Sequence, residues 1–477
     1  MKRKLYFIKK YSFACAGLVA VFSAFGQKNV SGIWQGMLTG TQFRLVFHIT
    51  EDKNGLSASL DSPDQGVMNI KASTITLKGD SVTISFNRPT VTYQGKIAND
   101  SSIDGTWIQN NVNASLHLNR TAQAIVLNRP QTPRPPFPYK SQDVIYFNPD
   151  KSIQYGATIT IPEGKGPFPA ALLITGSGQQ NRDEEIFGHK PFAVIADYLT
   201  RNGYIVLRVD DRSIGQTTGN FATSTSRDFA NDAEISLDYL KQRPEVNANK
   251  IGLIGHSEGG MIAQVIAAER KDIAFIISLA GPGEKITGLM THQDSAVLAS
   301  AGMSKNYVAV YSELYGKLLP AIVAAGSKSD AADTARAVMD QWINRSPKEI
   351  VLATTGIHDD ASKDKLINKF VDQLYTPWWR YFLTYDPAPN IKKSNAQVLV
   401  LNGDKDIQVI AATNLPAWEE ALKKSRSKSY EIKKLPGLNH LFQHCMLCTV
   451  PEYGKLEETF APEVLSLMVT WLNAHVK

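Results

Sequence analysis

Lys250-Ile251-Gly252-Leu253-Ile254-Gly255-His256-Ser257-Glu258-Gly259-Gly260-Met261-Ile262-Ala263-Gln264-Val265-Ile266-Ala267-Ala268 is the stretch on which the fold turns. An apolar run reads as a buried strand, a helix-like segment follows, and Gly-His-Ser-Glu-Gly joins them. A serine on so tight a strand-to-helix turn needs glycine two positions to either side, because a Cβ there would collide with the neighbouring strand and helix. The turn lifts Oγ above the sheet edge, where it can attack a carbonyl. A bare G-x-S-x-G arises by chance in roughly one chain in ten of this length. The strand before it and the helix after it make Ser257 the expected nucleophile of an acyl-transfer site.

A base and an acid should follow downstream. Ala396-Gln397-Val398-Leu399-Val400-Leu401 reads as a buried parallel strand running into Asn402-Gly403-Asp404-Lys405-Asp406. A triad acid belongs just past such a strand. Asp406 is assigned that role and Asp404 a turn. A further strand-like run, Ser429 to Leu435, leads through Pro436-Gly437-Leu438-Asn439 to His440, the expected general base. His48 and His117 lie in an amino-terminal β region, His256 is inside the elbow and His475 is near the chain end. His444 is the rival, on the same face as His440 if that segment is helical. Ser257, Asp406 and His440 follow the chain order of α/β-hydrolases. His440 would take the Ser257 proton and return it to the leaving group, with Asp406 fixing the imidazole tautomer. The oxyanion donors are expected to be the backbone N–H of Glu258, after the nucleophile, and that of Ser177, in the glycine-rich turn closing the strand Pro169–Thr175.

Gly176-Ser177-Gly178-Gln179-Gln180-Asn181-Arg182-Asp183-Glu184, Asp210-Asp211-Arg212-Ser213-Ile214-Gly215, the elbow, Ala280-Gly281-Pro282-Gly283 and Leu438-Asn439-His440-Leu441-Phe442-Gln443 together resemble exported bacterial α/β-hydrolase esterases. That group carries a Gly-Ser-Gly-x-x-x-Arg-Asp-Glu loop and stands near dienelactone hydrolases and serine aminopeptidases. The resemblance covers about residues 142–477 and implies carboxylesterase activity on short acyl esters. Ser213 departs from it, standing where the pattern has glycine. Arg182, Asp183, Glu184, Asp210, Asp211 and Arg212 come from two loops expected at the carboxyl edge of the sheet, and are read as ion pairs that lock the loops together. Glu258 is read as a helix N-terminal carboxylate interacting with the dipole.

The chain of 477 residues exceeds one ordinary domain. Its formal charge of +6 is spread thinly, with no basic cluster interleaved with aromatics, which argues against nucleic-acid binding. Residues 1–26 read as an export signal: a basic start, an apolar core from Phe13 to Phe22 and a small-x-small site at Ala24-Phe25-Gly26. The apolar run is short for a membrane span, so the mature protein is expected in the periplasm or secreted, without a stable span. Beyond the signal, the cysteines are Cys445 and Cys448, for which a local disulfide is the first reading in an oxidising compartment. No metal or cofactor is called for, since recruiting His440 as a ligand would abolish the triad.

Residues 27–121 alternate with period two and contain about eight short strands, which predicts a small antiparallel β domain, a lipocalin-like barrel or sandwich. Trp34, Tyr93 and Trp107 there could stack on sugars, against core packing as the alternative. Residues 122–141 form a proline-rich linker, expected to be extended and semi-rigid. From 142 to 477 strand and helix patterns alternate as in a doubly wound sheet, interrupted by a helical cap at about 283–390. Candidate cap helices are Tyr307–Ala325 and Ala331–Ile343, and Trp378, Trp379, Tyr381 and Phe382 are candidate pocket walls.

Three functions follow. The first is a serine carboxylesterase acting on a small-molecule or glycan-linked ester with short-chain or aromatic acyl groups. The second is an exported aminopeptidase or dipeptidyl-peptidase-like hydrolase, which needs cap acids such as Asp294, Glu313, Asp359 or Asp360 to hold a substrate ammonium. The third is a binding protein with a vestigial site, disfavoured by the intact Ser257, Asp406 and His440.

Overall fold

Period-two burial builds the first unit. The computed structural model describes residues 29–477 except 42, 66, 88, 110, 111, 124–127 and 428, so the expected export signal lies outside the described residues. β1 (Gly32–Met37), β2 (Arg44–Asp52), β3 (Gly55–Ser62), β4 (Val67–Lys71), β5 (Thr74–Lys78), β6 (Ser81–Asn87), β7 (Thr90–Asn99), β8 (Ser102–Gln109) and β9 (Val112–Thr121) form one sheet in the order β4-β3-β2-β1-β9-β8-β7-β6-β5. Among the described residues nine strands stand where about eight were expected, and they join in one sheet. In β6 and β7 every second residue is buried, which places one face on a core of Trp34, Phe47, Tyr93 and Trp107. Trp34 and Tyr93 are fully buried. Trp34 Nε1 donates to the Val30 carbonyl at 2.8 Å and the Phe47 and Tyr93 rings lie 5.2 Å apart. These aromatics pack the core and do not offer sugar platforms.

The second unit comprises residues 62–68 and 125–477. Its sheet contains β10 (Lys140–Phe147), β11 (Gln154–Ile161), β12 (Phe168–Ile174), β13 (Ile205–Val209), β14 (Val246–His256), β15 (Phe275–Leu279), β16 (Gln397–Gly403) and β17 (Tyr430–Leu435), in the order β10-β11-β13-β12-β14-β15-β16-β17. β11 runs against β10 and β13, and the other registers are parallel. Each residue of β15 is buried, as helices on both faces of a parallel sheet require. Those helices are α1 (Pro191–Arg201), α2 (Ser226–Lys241) and α3 (Glu258–Glu269) after β12, β13 and β14. Between β15 and β16 come α4 (Ile286–Ser300), α5 (Lys305–Ala324), α6 (Lys328–Ile343), α7 (Lys348–Thr355), α8 (Asp360–Leu374), α9 (Pro377–Thr384) and α10 (Pro387–Lys393). α11 (Ala411–Leu422), α12 (Val450–Tyr453) and α13 (Pro462–His475) complete the chain. The order of strands and the single reversed strand define an α/β-hydrolase sheet with an inserted helical cap.

The expected cap end, at about 390, falls within α10. α10 packs on α3, and just before it the Tyr385 hydroxyl donates to Gln264 Oε1 of α3 at 2.9 Å. Part of the linker departs from expectation, because its polar side chains are drawn onto the second unit. Arg129 donates to the carbonyls of Phe187, Gly454 and Leu456, each at 2.8 Å. Gln131 donates to the Phe460 carbonyl at 2.7 Å and accepts from the Phe460 amide at 3.0 Å.

Candidate active site

β14 ends at His256 and α3 starts at Glu258, leaving Ser257 alone on the turn with φ 51° and ψ −118°. That is a strained conformation for a residue with a side chain, of the kind stored at reactive sites. A Cβ on Gly255 would overlap the Gly259 carbonyl, and one on Gly259 would overlap the Ile174 carbonyl. The glycine spacing is thus a packing requirement, as the sequence argument holds. The Ser257 amide donates to the Leu279 carbonyl at 2.8 Å, which ties the turn to β15.

His440 Nδ1 lies 2.8 Å from Asp406 Oδ2, and both side chains are buried. Asp406 is fixed from behind by the amides of Gln408 at 2.8 Å and Val409 at 2.9 Å and by Asn402 Nδ2 at 3.2 Å. Asp404 occupies the turn, accepting from the Gly437 amide at 2.7 Å and so joining the acid loop to the base loop. The segment Leu441–His444 is not helical, and His444 faces outward to Glu458 and Glu463, each at 3.0 Å. The two histidines therefore do not share a face, and His440 is the one that meets the acid.

Of the candidate oxyanion donors, Glu258 opens α3. Ser177 follows Gly176, whose own amide is engaged by Glu184 Oε1 at 2.7 Å. A Cβ on Gly176 would lie 3.3 Å from Ser257 Cβ, so this loop sits directly against the nucleophile.

The charged loops only partly follow expectation. Arg182 grips Asp210 with Nη2 at 2.6 Å and Nε at 3.1 Å, and Arg208 holds Asp183. Arg212 instead reaches Asp232 of α2 at 2.6 and 2.9 Å. Asp211 accepts from Thr175 Oγ1 at 2.9 Å and the Gln180 amide at 2.8 Å, and burial pushes its pKa up to about 7. Ser213 adopts φ 63° where the related pattern has glycine, with Oγ donating to the Gly219 carbonyl at 2.8 Å.

Glu258 stands in the first turn of α3, as expected of a helix N-terminal carboxylate. It is buried, its Oε1 accepting from Ser226 Oγ at 2.5 Å and from Trp378 Nε1 at 2.9 Å, and burial pushes its pKa up to about 7 against both donors. Trp378 thereby links α9 of the cap to the residue beside the nucleophile. Phe382 stacks on Trp378 with ring centroids 4.8 Å apart, and Trp379 meets Trp378 edge-on at 4.8 Å. Phe382 belongs to the hydrophobic core that the cap shares, and Trp378, Trp379 and Tyr381, half-buried, pack against it. A cavity of about 60 Å³ beside the elbow takes its lining from Thr175, Gly176, Gly178, Asp211, Glu258 and neighbours on β11–β13, α2 and α3, among the described residues. None of the four α9 aromatics lines this cavity among the described residues; Trp378 reaches its edge only through the hydrogen bond to Glu258. Cys445 and Cys448 are joined by a disulfide.

Sequence reasoning missed the partnership of Glu184 with His256, whose Nδ1 lies 3.0 Å from Glu184 Oε1. Seventy-two positions separate them, and no local spacing signals a carboxylate folding back under the elbow.

Sheet and elbow define an α/β-hydrolase fold with Ser257 on its strand-to-helix turn. Residues 152–438, more than half of the chain, match the X-Pro dipeptidyl-peptidase (S15 family), and the protein belongs to that family. It is a serine hydrolase. Esterase EstD of Thermotoga maritima is 34% identical over 148 residues, covering 31% of this chain and 35% of EstD. Acyl-coenzyme A thioesterase 3 of Mus musculus is 28% identical over 143 residues, covering 30% of this chain and 29% of that one. The match therefore spans about a third of the length of these relatives. Among solved structures, ferulic-acid-bound Est1E of Butyrivibrio proteoclasticus superposes with a TM-score of 0.40 at 16% identity, over 70% of this chain and 99% of that one.

Proposed function

We propose that this hydrolase is an exported carboxylesterase that cleaves short-chain or aromatic acyl esters through an acyl-enzyme on Ser257. In the first step His440 takes the Ser257 proton as Oγ attacks the ester carbonyl. Asp406 holds the imidazole and its developing charge, and the amides of Glu258 and Ser177 receive the oxyanion. The protonated His440 then gives its proton to the departing alcohol. Water repeats the cycle in reverse to release the acid.

The observation that carries the preference for an uncharged acyl group is the state of the carboxyls beside the elbow. Glu258 and Asp211 both have pKa values raised by burial to about 7 and are engaged by uncharged donors. Carboxyls whose charge burial disfavours, and whose oxygens already accept from neutral donors, are poor partners for a substrate ammonium.

One observation favours the peptidase reading. Of the four cap acids considered, Glu313 pairs with Lys317 at 2.6 Å, Asp359 caps α8 and Asp360 pairs with Lys363 at 3.0 Å. Asp294 Oδ2, in contrast, is buried with no hydrogen-bond partner, near Tyr311 and Tyr315, and burial raises its pKa to about 6. An ammonium would satisfy it. Wild type and Asp294→Asn are assayed side by side on an aryl acetate and on an X-Pro anilide. The esterase reading expects ester turnover in both proteins and negligible anilide cleavage. Efficient anilide cleavage that Asp294→Asn abolishes would establish the peptidase instead.

A further inference from the structure

His256 stands between the two loops that complete the site, and the proposed serine mechanism does not use it. Its ring is buried. Nδ1 faces Glu184 Oε1 at 3.0 Å, and Nε2 faces the backbone carbonyl of His440 at 3.0 Å. Glu184 Oε1 also accepts the Gly176 amide at 2.7 Å, in the loop that carries the Ser177 donor. A continuous path thus runs from the oxyanion loop through Glu184 and His256 to the backbone of the catalytic base.

A carbonyl oxygen can only accept. The Glu184 oxygen already accepts from Gly176 and is a carboxylate when ionised. Both ring nitrogens therefore face acceptors, and a neutral imidazole has only one N–H. We infer that His256 is a positioning residue that works as a buried imidazolium paired with Glu184, holding the oxyanion loop and the His440 loop in register only while both ring nitrogens carry protons. The inference rests on the serine-hydrolase reading of the site.

The surroundings are consistent with that state. Burial disfavours charge on His256, but the Glu184 carboxylate by charge and hydrogen bond, the His440 carbonyl and Asp406 together more than offset it, so its pKa stands above the ordinary histidine value. The groups facing it are Glu184 from the loop after β12, the His440 ring at 4.7 Å and Asp406 behind it. Phe192 of α1, Leu279 of β15, Leu441, Phe442 and Phe460 contribute apolar walls. The sign follows from the raised value. The arrangement is intact at low pH and is lost as pH rises through the folded-state pKa of His256, whereas His440 must be neutral to act as base. Activity should therefore fall at alkaline pH as the His256 pair loses its proton.

The test reads both quantities. Nitrogen NMR of the intact protein with labelled histidine, assigned by difference from His256→Gln, is followed from pH 5 to 10, alongside the rate of fluorophosphonate labelling. Expected are a histidine with two protonated ring nitrogens at neutral pH and an alkaline fall in labelling rate at the same midpoint. In Glu184→Gln, where an amide cannot stabilise the imidazolium, His256 should be neutral throughout. Its alkaline fall should disappear, with kcat lower by about 10- to 100-fold and KM within about twofold. A neutral His256 in the wild type at pH 7 overturns the inference without needing a folded variant. An alkaline fall that persists unchanged in Glu184→Gln also overturns it. Failure of labelling at every pH would instead reject the nucleophile, leaving the NMR result to judge His256.

Discussion

Glu258 follows Ser257 on the elbow, and its buried carboxyl is held by Ser226 and by Trp378 of the cap. Its folded-state pKa of about 7 lies above the ordinary 4.5. Its contribution to stability is therefore complete below about pH 4.5 and lost as pH rises through about 7. Glu258→Gln keeps an acceptor for Ser226 and Trp378 and cannot ionise. Thermal melts should show the variant more stable than wild type at pH 8, by at most about 3 kcal/mol, with the advantage gone at pH 5. Asp406→Asn should leave the fold in place, because Asn Oδ1 can still accept from Gln408 and Val409. Its amide would face His440 Nδ1 with donors and impose the wrong tautomer. Steady-state assay should show kcat lower by about 10³–10⁴. Ser257 and the Asp406–His440 pair were legible in the sequence because strand ends and turn glycines announce them. The buried state of Glu258 was not, because its cover comes from Trp378, 120 positions away.

At the scale of elements, the cap is joined to the sheet through α9. Thr376 caps that helix by accepting from the Trp379 amide, and Pro377 starts it. The next residue, Trp378, delivers its N–H to Glu258. Trp378→Phe keeps the stack on Phe382 and removes the donor. Because that hydrogen bond lowers the Glu258 pKa, the variant should move the pH at which the melting temperature drops upward relative to wild type, as read by the same melts. The cap helices α5 and α6 were visible as the helical patterns at Tyr307–Ala325 and Ala331–Ile343.

At the scale of the whole molecule, the two units were separable in sequence because hydrophobic periodicity changes from two to the mixed pattern of an α/β sheet. The count of strands in the first unit and the seating of the linker were not, since both depend on long-range hydrogen bonds. Arg129 is the clearest case, with three carbonyls of the second unit gathered by one guanidinium. Arg129→Ala should lower the stability of that unit by at least about 1–3 kcal/mol, the cost of one buried acceptor left unpaired, as measured by its thermal unfolding transition. Among the described residues no helix is long and apolar enough to cross a membrane. The most direct test of the central claim is acid-quenched mass spectrometry of the protein during turnover of an aryl acetate, with peptide mapping of the adduct. The account predicts one acetyl group on the peptide that carries Ser257, and neither adduct nor turnover in Ser257→Ala. An adduct on any other residue, or undiminished hydrolysis by that variant, would contradict it.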